Sequence, residues 1–130
     1  MENFTIKTIS DLSEAKFYWE TLVEQKNIFD NWDFRYCFYK YFNYPLYFQV
    51  GFLNNEPIGL LPLQYNKDND CLEFFCDRFI EDNQVFIKPG FENLIPEFYA
   101  SLQGKVNLEY IVGKDHFTKG LEVLDQKYFL

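Results

Sequence analysis

Leu46, Phe48, Val50 and Phe52 alternate with Tyr47, Gln49, Gly51 and Leu53, and after the polar Asn54-Asn55-Glu56 a second extended run occupies residues 57–65. A period of two over eight residues marks a strand, and an Asn-containing turn between two such runs joins them as an antiparallel hairpin. One layer of the fold must therefore be a sheet. Pro62 has no N–H for the ladder, so its strand needs a bulge or an edge there. Residues 66–70, Asn-Lys-Asp-Asn-Asp, form a second turn into a strand around Leu72 to Cys76, giving three antiparallel strands.

Helices surround this unit. Phe4, Ile6 and Ile9 frame a short first strand, and Ser10 then offers an N-cap oxygen ahead of Asp11 and Glu14. Leu12, Ala15, Trp19, Leu22 and Val23 recur at helical spacing. The next segment, NIFDNWDFRYCFYKYF, begins at Asn27, with Asp30 or Asn31 as the expected cap of a second helix. Trp32, Tyr36 and Tyr39 share one face of it, while Phe34, Phe38, Tyr41 and Phe42 spread over the rest. A helix apolar all round is normally covered all round, which a small domain cannot arrange alone. A third helix is expected over about 91–103 with Gly104 at its left-handed end, preceded by a strand-like 85–87 and followed by a strand over 105–112. The fold class is thus α+β, a mixed α/β arrangement in which two to three helices flank an antiparallel-rich sheet, and residues 1–130 form one domain.

Composition removes several function classes. A net charge of −8 with twelve scattered basic residues opposes a phosphate backbone, so no nucleic acid is expected. With 48% apolar and 22% aromatic residues the chain can build a core, yet it has no long apolar run and no basic amphipathic helix, so no membrane contact is expected either. The first residues lack a signal peptide's charge and apolar stretch, which places the chain in the cytoplasm. Cys37, Cys71 and Cys76 include no CxxC pair and read as core thiols, not disulfides or zinc ligands.

Chemical motifs are incomplete. His116 lies in a loop without a nucleophile signature around it, and reads as a surface histidine. Asn66, Asp68 and Asp70 match three positions of a calcium loop, but Cys71 replaces the turn glycine and Asp77 the bidentate glutamate, so a solvated turn is expected. Asp77, Glu81 and Asp82 could serve as paired acid and base if burial split their pKa values, although acidic loops are common in so acidic a chain. No glycine-rich phosphate cradle is present.

Asn27 to Asp33 opening a helix, followed by a strand pair whose second member reads Ile58-Gly59-Leu60-Leu61-Pro62-Leu63, resembles the first half of the GNAT-like acyltransferases related to the FemAB and CelD/BcsL acetyltransferases. Residues 72–75 and Glu81-Asp82-Asn83 are similar to the strand and loop that follow, and the likeness spans about 10–100. It implies an N-terminal, acceptor-side portion of an acyl-CoA-dependent N-acyltransferase, inactive alone. Trp32, Glu81, Asp82 and Asn83 would lie near the acceptor groove, and catalytic residues are not assigned. No cofactor is bound by this chain on that reading, since the family's pyrophosphate loop is absent, and acyl-CoA is the cosubstrate held by a second half. An apolar end at residues 127–130 suits a chain cut from something larger. The alternative is an acidic, aromatic-rich protein-binding module. In either case the expected partner is a protein, its own C-terminal half or a second copy in a homo-dimer, meeting the helix from Trp32 to Phe42.

Overall fold

The computed structural model describes residues 3–77, 80, 82–112 and the backbone of 127–128. In chain order its elements are β1 (Phe4–Ile9), α1 (Leu12–Leu22), α2 (Trp32–Phe42), β2 (Leu46–Leu53), β3 (Glu56–Asn66), β4 (Cys71–Phe74), β5 (Phe86–Ile87), α3 (Ile95–Ala100), β6 (Val106–Asn107), β7 (Glu109–Ile111) and β8 (Lys127–Tyr128). The main sheet runs β1-β2-β3-β4-β6, with β5 on β3 beside β4. The pairs β1·β2, β2·β3, β3·β4 and β3·β5 are antiparallel, whereas β4·β6 is parallel, its chain crossing over through α3. Three helices on a mostly antiparallel sheet make the α+β class.

The β2–β3 hairpin forms as its alternation demands. Asn54 and Asn55 take φ of 51° and 70°, the left-handed pair that lets a two-residue turn follow the twist of its strands. Side chains at Leu46, Phe48, Val50 and Phe52 point to one face, where Ala15, Trp19 and Leu22 of α1 and Trp32 of α2 cover them. Residues of the opposite parity, with Leu61, Leu63 and Phe74, meet Ile95, Phe98 and Tyr99 of α3. Both faces are covered, so β2 and β3 are buried almost throughout. Gly51 and Gly59 admit α3 closely: a Cβ at either would stand 2.4 or 2.7 Å from Phe98 Cζ.

Several local expectations are corrected. Asp11, not Ser10, caps α1, its Oδ2 accepting from the Glu14 amide at 3.0 Å. Asn31 caps α2 through the Phe34 amide, and Asn43 closes it in the left-handed region at φ 56°. The third helix is a 3-10 turn at Glu92–Leu94 followed by only six α-helical residues, so the left-handed Gly104, at φ 83°, lies in the loop beyond its end. The strand expected over 105–112 is broken at Leu108, and Tyr110 has φ 59°. Nor is α2 buried all round: Trp32 and Arg35 are inside, the other rings are half-covered, and Tyr41 is 82% exposed. His116 and most of 113–130 lie outside the described residues.

Candidate functional site

Pro62 opens the sheet. The bond from the Tyr65 amide to Pro45 O sets the phase of the β2·β3 ladder, so Pro62 turns its backbone away from β2 toward β4. There Phe75 donates its N–H to Pro62 O at 3.0 Å, but the reciprocal bond cannot exist because proline has no N–H. Arg35 supplies the missing donor from α2, with Nη1 at 2.9 Å from Phe75 O and Nε at 2.6 Å from Phe29 O. Its guanidinium also lies 4.7 Å from the Trp19 ring centroid and 5.9 Å from that of Phe75. Only 2% of Arg35 is exposed, and burial pushes its pKa down to about 10 against the attraction of Cys76, Asp30 and Asp82. Carbonyls and rings thus hold a cation among the described residues.

Released from β3, the chain bends sharply at Cys76 and Asp77, with φ of 69° and 24°. Both are non-glycine residues in sparsely populated backbone, a conformation that costs energy and persists only when its surroundings hold it. Gln64 holds it here. Its Oε1 accepts from the Cys76 amide at 3.2 Å, while its Nε2 donates to Glu73 Oε2 at 2.5 Å. Asn66 Nδ2 donates to Glu73 Oε1 at 3.0 Å, and Asn66 Oδ1 accepts the Asp68 and Asn69 amides that make the β3–β4 turn. A buried carboxylate is therefore gripped by two carboxamides that also fix a turn and a bend.

Beyond Leu72↔Val106 and Glu73↔Asn107 the parallel strands part. A cavity of about 310 Å³ lies beside this pair, lined by Gln64, Asn66 and Asn69 of β3 and its turn, by Glu73, Cys76, Asp77, Asn107 and Glu109, and by Phe42 and Tyr44. Asn107 Oδ1 is buried in this region with no hydrogen-bond partner among the described residues. Carboxylates and amide oxygens dominate the lining, so the pocket favours cations and hydrogen-bond donors.

The residues expected near an acceptor groove are placed as follows. Trp32 lies in the core, its ring 5.9 Å from Phe75 and 6.5 Å from Tyr36, both stacked. Asp82 is exposed, and Glu81 lies outside the described residues. Asn83 is buried, and its Nδ2 donates to Ile80 O at 3.1 Å and to Glu109 O at 3.0 Å. It thereby ties the loop to the strand that brings Glu109 to the cavity. The turn at 66–70 is a hydrogen-bonded hairpin: Asp68 accepts from Tyr44 and Asp70 from Tyr65, each at 2.5 Å. Among the described residues no cluster of three or more His, Cys, Asp or Glu side chains could hold a metal ion. Gln64 and Asn107 carried no signal in the sequence, and Asn66 and Glu73 figured there only as part of a turn and of a strand, since what unites the four is cross-strand register.

All three thiols are free. Burial pushes Cys76 up to about 12 and raises Cys71, whereas Cys37 is exposed. A thiol-alkylating reagent near neutral pH should accordingly modify Cys37 alone in the folded protein, with Cys71 and Cys76 reacting after denaturation. Peptide mass spectrometry checks this, and rapid labelling of Cys76 in the native state would contradict its placement.

No protein-family model, curated protein or solved structure matches the chain. Among the described residues, no helix is long and apolar enough to cross a membrane.

Proposed function

We propose that the chain is the acceptor-side portion of an acyl-CoA-dependent N-acyltransferase, and that the cavity beside the β4·β6 pair receives the acceptor amine. The observation that carries this reading is the lining of that cavity: Glu73, Asp77 and Glu109 beside carboxamides and two aromatic rings. An ammonium group is what such a wall selects, and a carboxylate beside it can take the proton as the nitrogen becomes nucleophilic. Further support comes from the order of α1, α2 and the hairpin carrying Gly59 and Pro62, which is the order the family resemblance implies. Acyl-CoA belongs to a second half, because no glycine-rich phosphate cradle is encoded here. The cytoplasm is the compartment this reading assigns, in keeping with three free thiols.

Calorimetric titration with an aliphatic diamine and the matching diol tests the amine site. The diamine should bind at one site and the diol at least about tenfold more weakly, a difference of about 1.4 kcal/mol. Asn107→Leu should weaken diamine binding without lowering stability, because it removes a buried oxygen that has no partner among the described residues. Equal affinity for diamine and diol, or none for either, would remove the amine site. Acetyl-CoA should give no stoichiometric binding.

A second reading, an acidic aromatic-rich module that docks a protein on α2, is favoured by one observation, the 82% exposure of Tyr41 at the outer end of that helix. Under it Tyr41→Ser abolishes partner binding and leaves diamine binding untouched.

A further inference from the structure

Strand β1 closes one side of the main sheet, and no described residue pairs with its outer edge. Its register with β2 runs from Phe4↔Leu53 to Ile9↔Phe48 without a shift, so the strand has no bulge, and it contains no proline. The Asn54 amide bonds to Asn3 O at 3.0 Å, which sets the phase of the antiparallel ladder. Thr5, Lys7 and Ile9 then bond inward to β2, and the backbone groups of Phe4, Ile6 and Thr8 point outward. Open edges of this kind are usually blunted by a bulge, a proline or a lysine held across the edge. Lys7 is the one candidate guard, but its ammonium lies 5.1 Å from the Phe52 ring centroid, over the sheet face. Helix α1 packs chiefly on β2 and β3.

We propose that β1 is the seat of a two-fold homodimer in which the β1 strands of two copies pair antiparallel and join the two sheets. The outward groups dictate the register. With Ile6 opposite Ile6 of the second copy, Phe4 faces Thr8 and Thr8 faces Phe4, and every outward donor and acceptor of the strand finds a partner. Side chains of like parity then share a face, as a continuous sheet with helices on both sides requires. Lys7 falls opposite Thr5 and not opposite itself, so no like-charge pair forms across the join. A rim for the contact already exists. Tyr18 lies edge-on to Phe52, which is opposite Thr5, and Phe17 lies edge-on to Tyr18 with 59% of its surface exposed. An exposed ring beside an open edge is the apolar area that a second copy would cover.

Sedimentation equilibrium at physiological ionic strength should give twice the monomer mass, falling to the monomer on dilution. Thr8→Pro and Ile6→Pro leave the ladder to β2 intact, because the N–H each removes points outward; the first also loses the Thr8 Oγ1 bond to Gln49 Oε1 and the second a side chain packed against the core, so each should yield a folded but less stable monomer, whereas Lys7→Pro breaks the ladder to Val50 and should unfold the edge. Amide exchange supplies a readout that needs no variant: Phe4, Ile6 and Thr8 should exchange at least about tenfold more slowly at high than at low protein concentration, with Thr5 and Lys7 protected at both. A chain that stays monomeric at every concentration overturns the proposal, as does one whose mass and exchange pattern are the same in the folded Thr8→Pro protein. An edge that pairs only with an added peptide from another protein also overturns it.

Discussion

Arg35→Met should lower the unfolding free energy by about 3–5 kcal/mol, read from urea denaturation, because a buried and a part-buried carbonyl lose their donor together and two rings lose a nearby cation. Arg35→Lys should fall between the variant and the parent, at about 2 kcal/mol, since an ammonium cannot reach both oxygens with the fixed fork of a guanidinium. The charge itself is not the source of stability, since burial has pushed the Arg35 pKa down. A double-mutant cycle isolates the geometry. Pro62→Ala restores an N–H opposite Phe75 O, so in that background the loss of Arg35 should cost about 1 kcal/mol less. If the two effects simply add, Arg35 is not replacing the ladder bond that proline lacks.

Gly51→Ala should cost about 3 kcal/mol, and Gly59→Ala nearly as much, because the added methyl would sit 2.4 or 2.7 Å from the Phe98 ring. Phe98 is fully buried between α3 and the sheet and has nowhere to go. A drop of about 10 °C or more in melting temperature is the expected readout. Phe98→Leu should be partly rescuing in the Gly51→Ala background and destabilising in the parent. A Gly51→Ala protein as stable as the parent would mean that α3 does not approach the sheet there.

The elements legible in the sequence are those whose period outlasts their irregularities. Eight residues of alternation gave β2, and five apolar positions at helical spacing gave α1. By contrast β5 and β6 are two residues each, too short for any period to register, and they exist because longer neighbours offer them an edge. The expectation for Pro62 named a bulge or an edge, and the structure places it on an interior strand at the gap between β4 and β5. What composition could not reveal is that a helix full of rings would turn its one arginine inward. An arginine next to Tyr36 and Phe34 looks like the solvated side of α2, and only the proline 27 positions later explains why a donor is needed inside. The cavity was hidden for a similar reason. Glu73 and Asn107 become neighbours by parallel pairing across α3, and pairing over such a distance leaves no local pattern.

The position of β1 also bears on how the chain reaches its fold. The β2–β3 and β3–β4 ladders close through tight turns, but pairing β1 with β2 brings together residues as far apart as Asn3 and Asn54, 51 positions along the chain, with two helices in between. Closing a long loop costs more entropy than closing a turn, and that cost is met before the contact repays it. The three-stranded meander should therefore form first and β1 should dock late, so substitutions in β1 should mainly speed unfolding while those at the β2–β3 turn slow folding. Until β1 arrives, the long and strongly apolar β2 is the open edge, and refolding at high concentration should lose chains to aggregation at that stage.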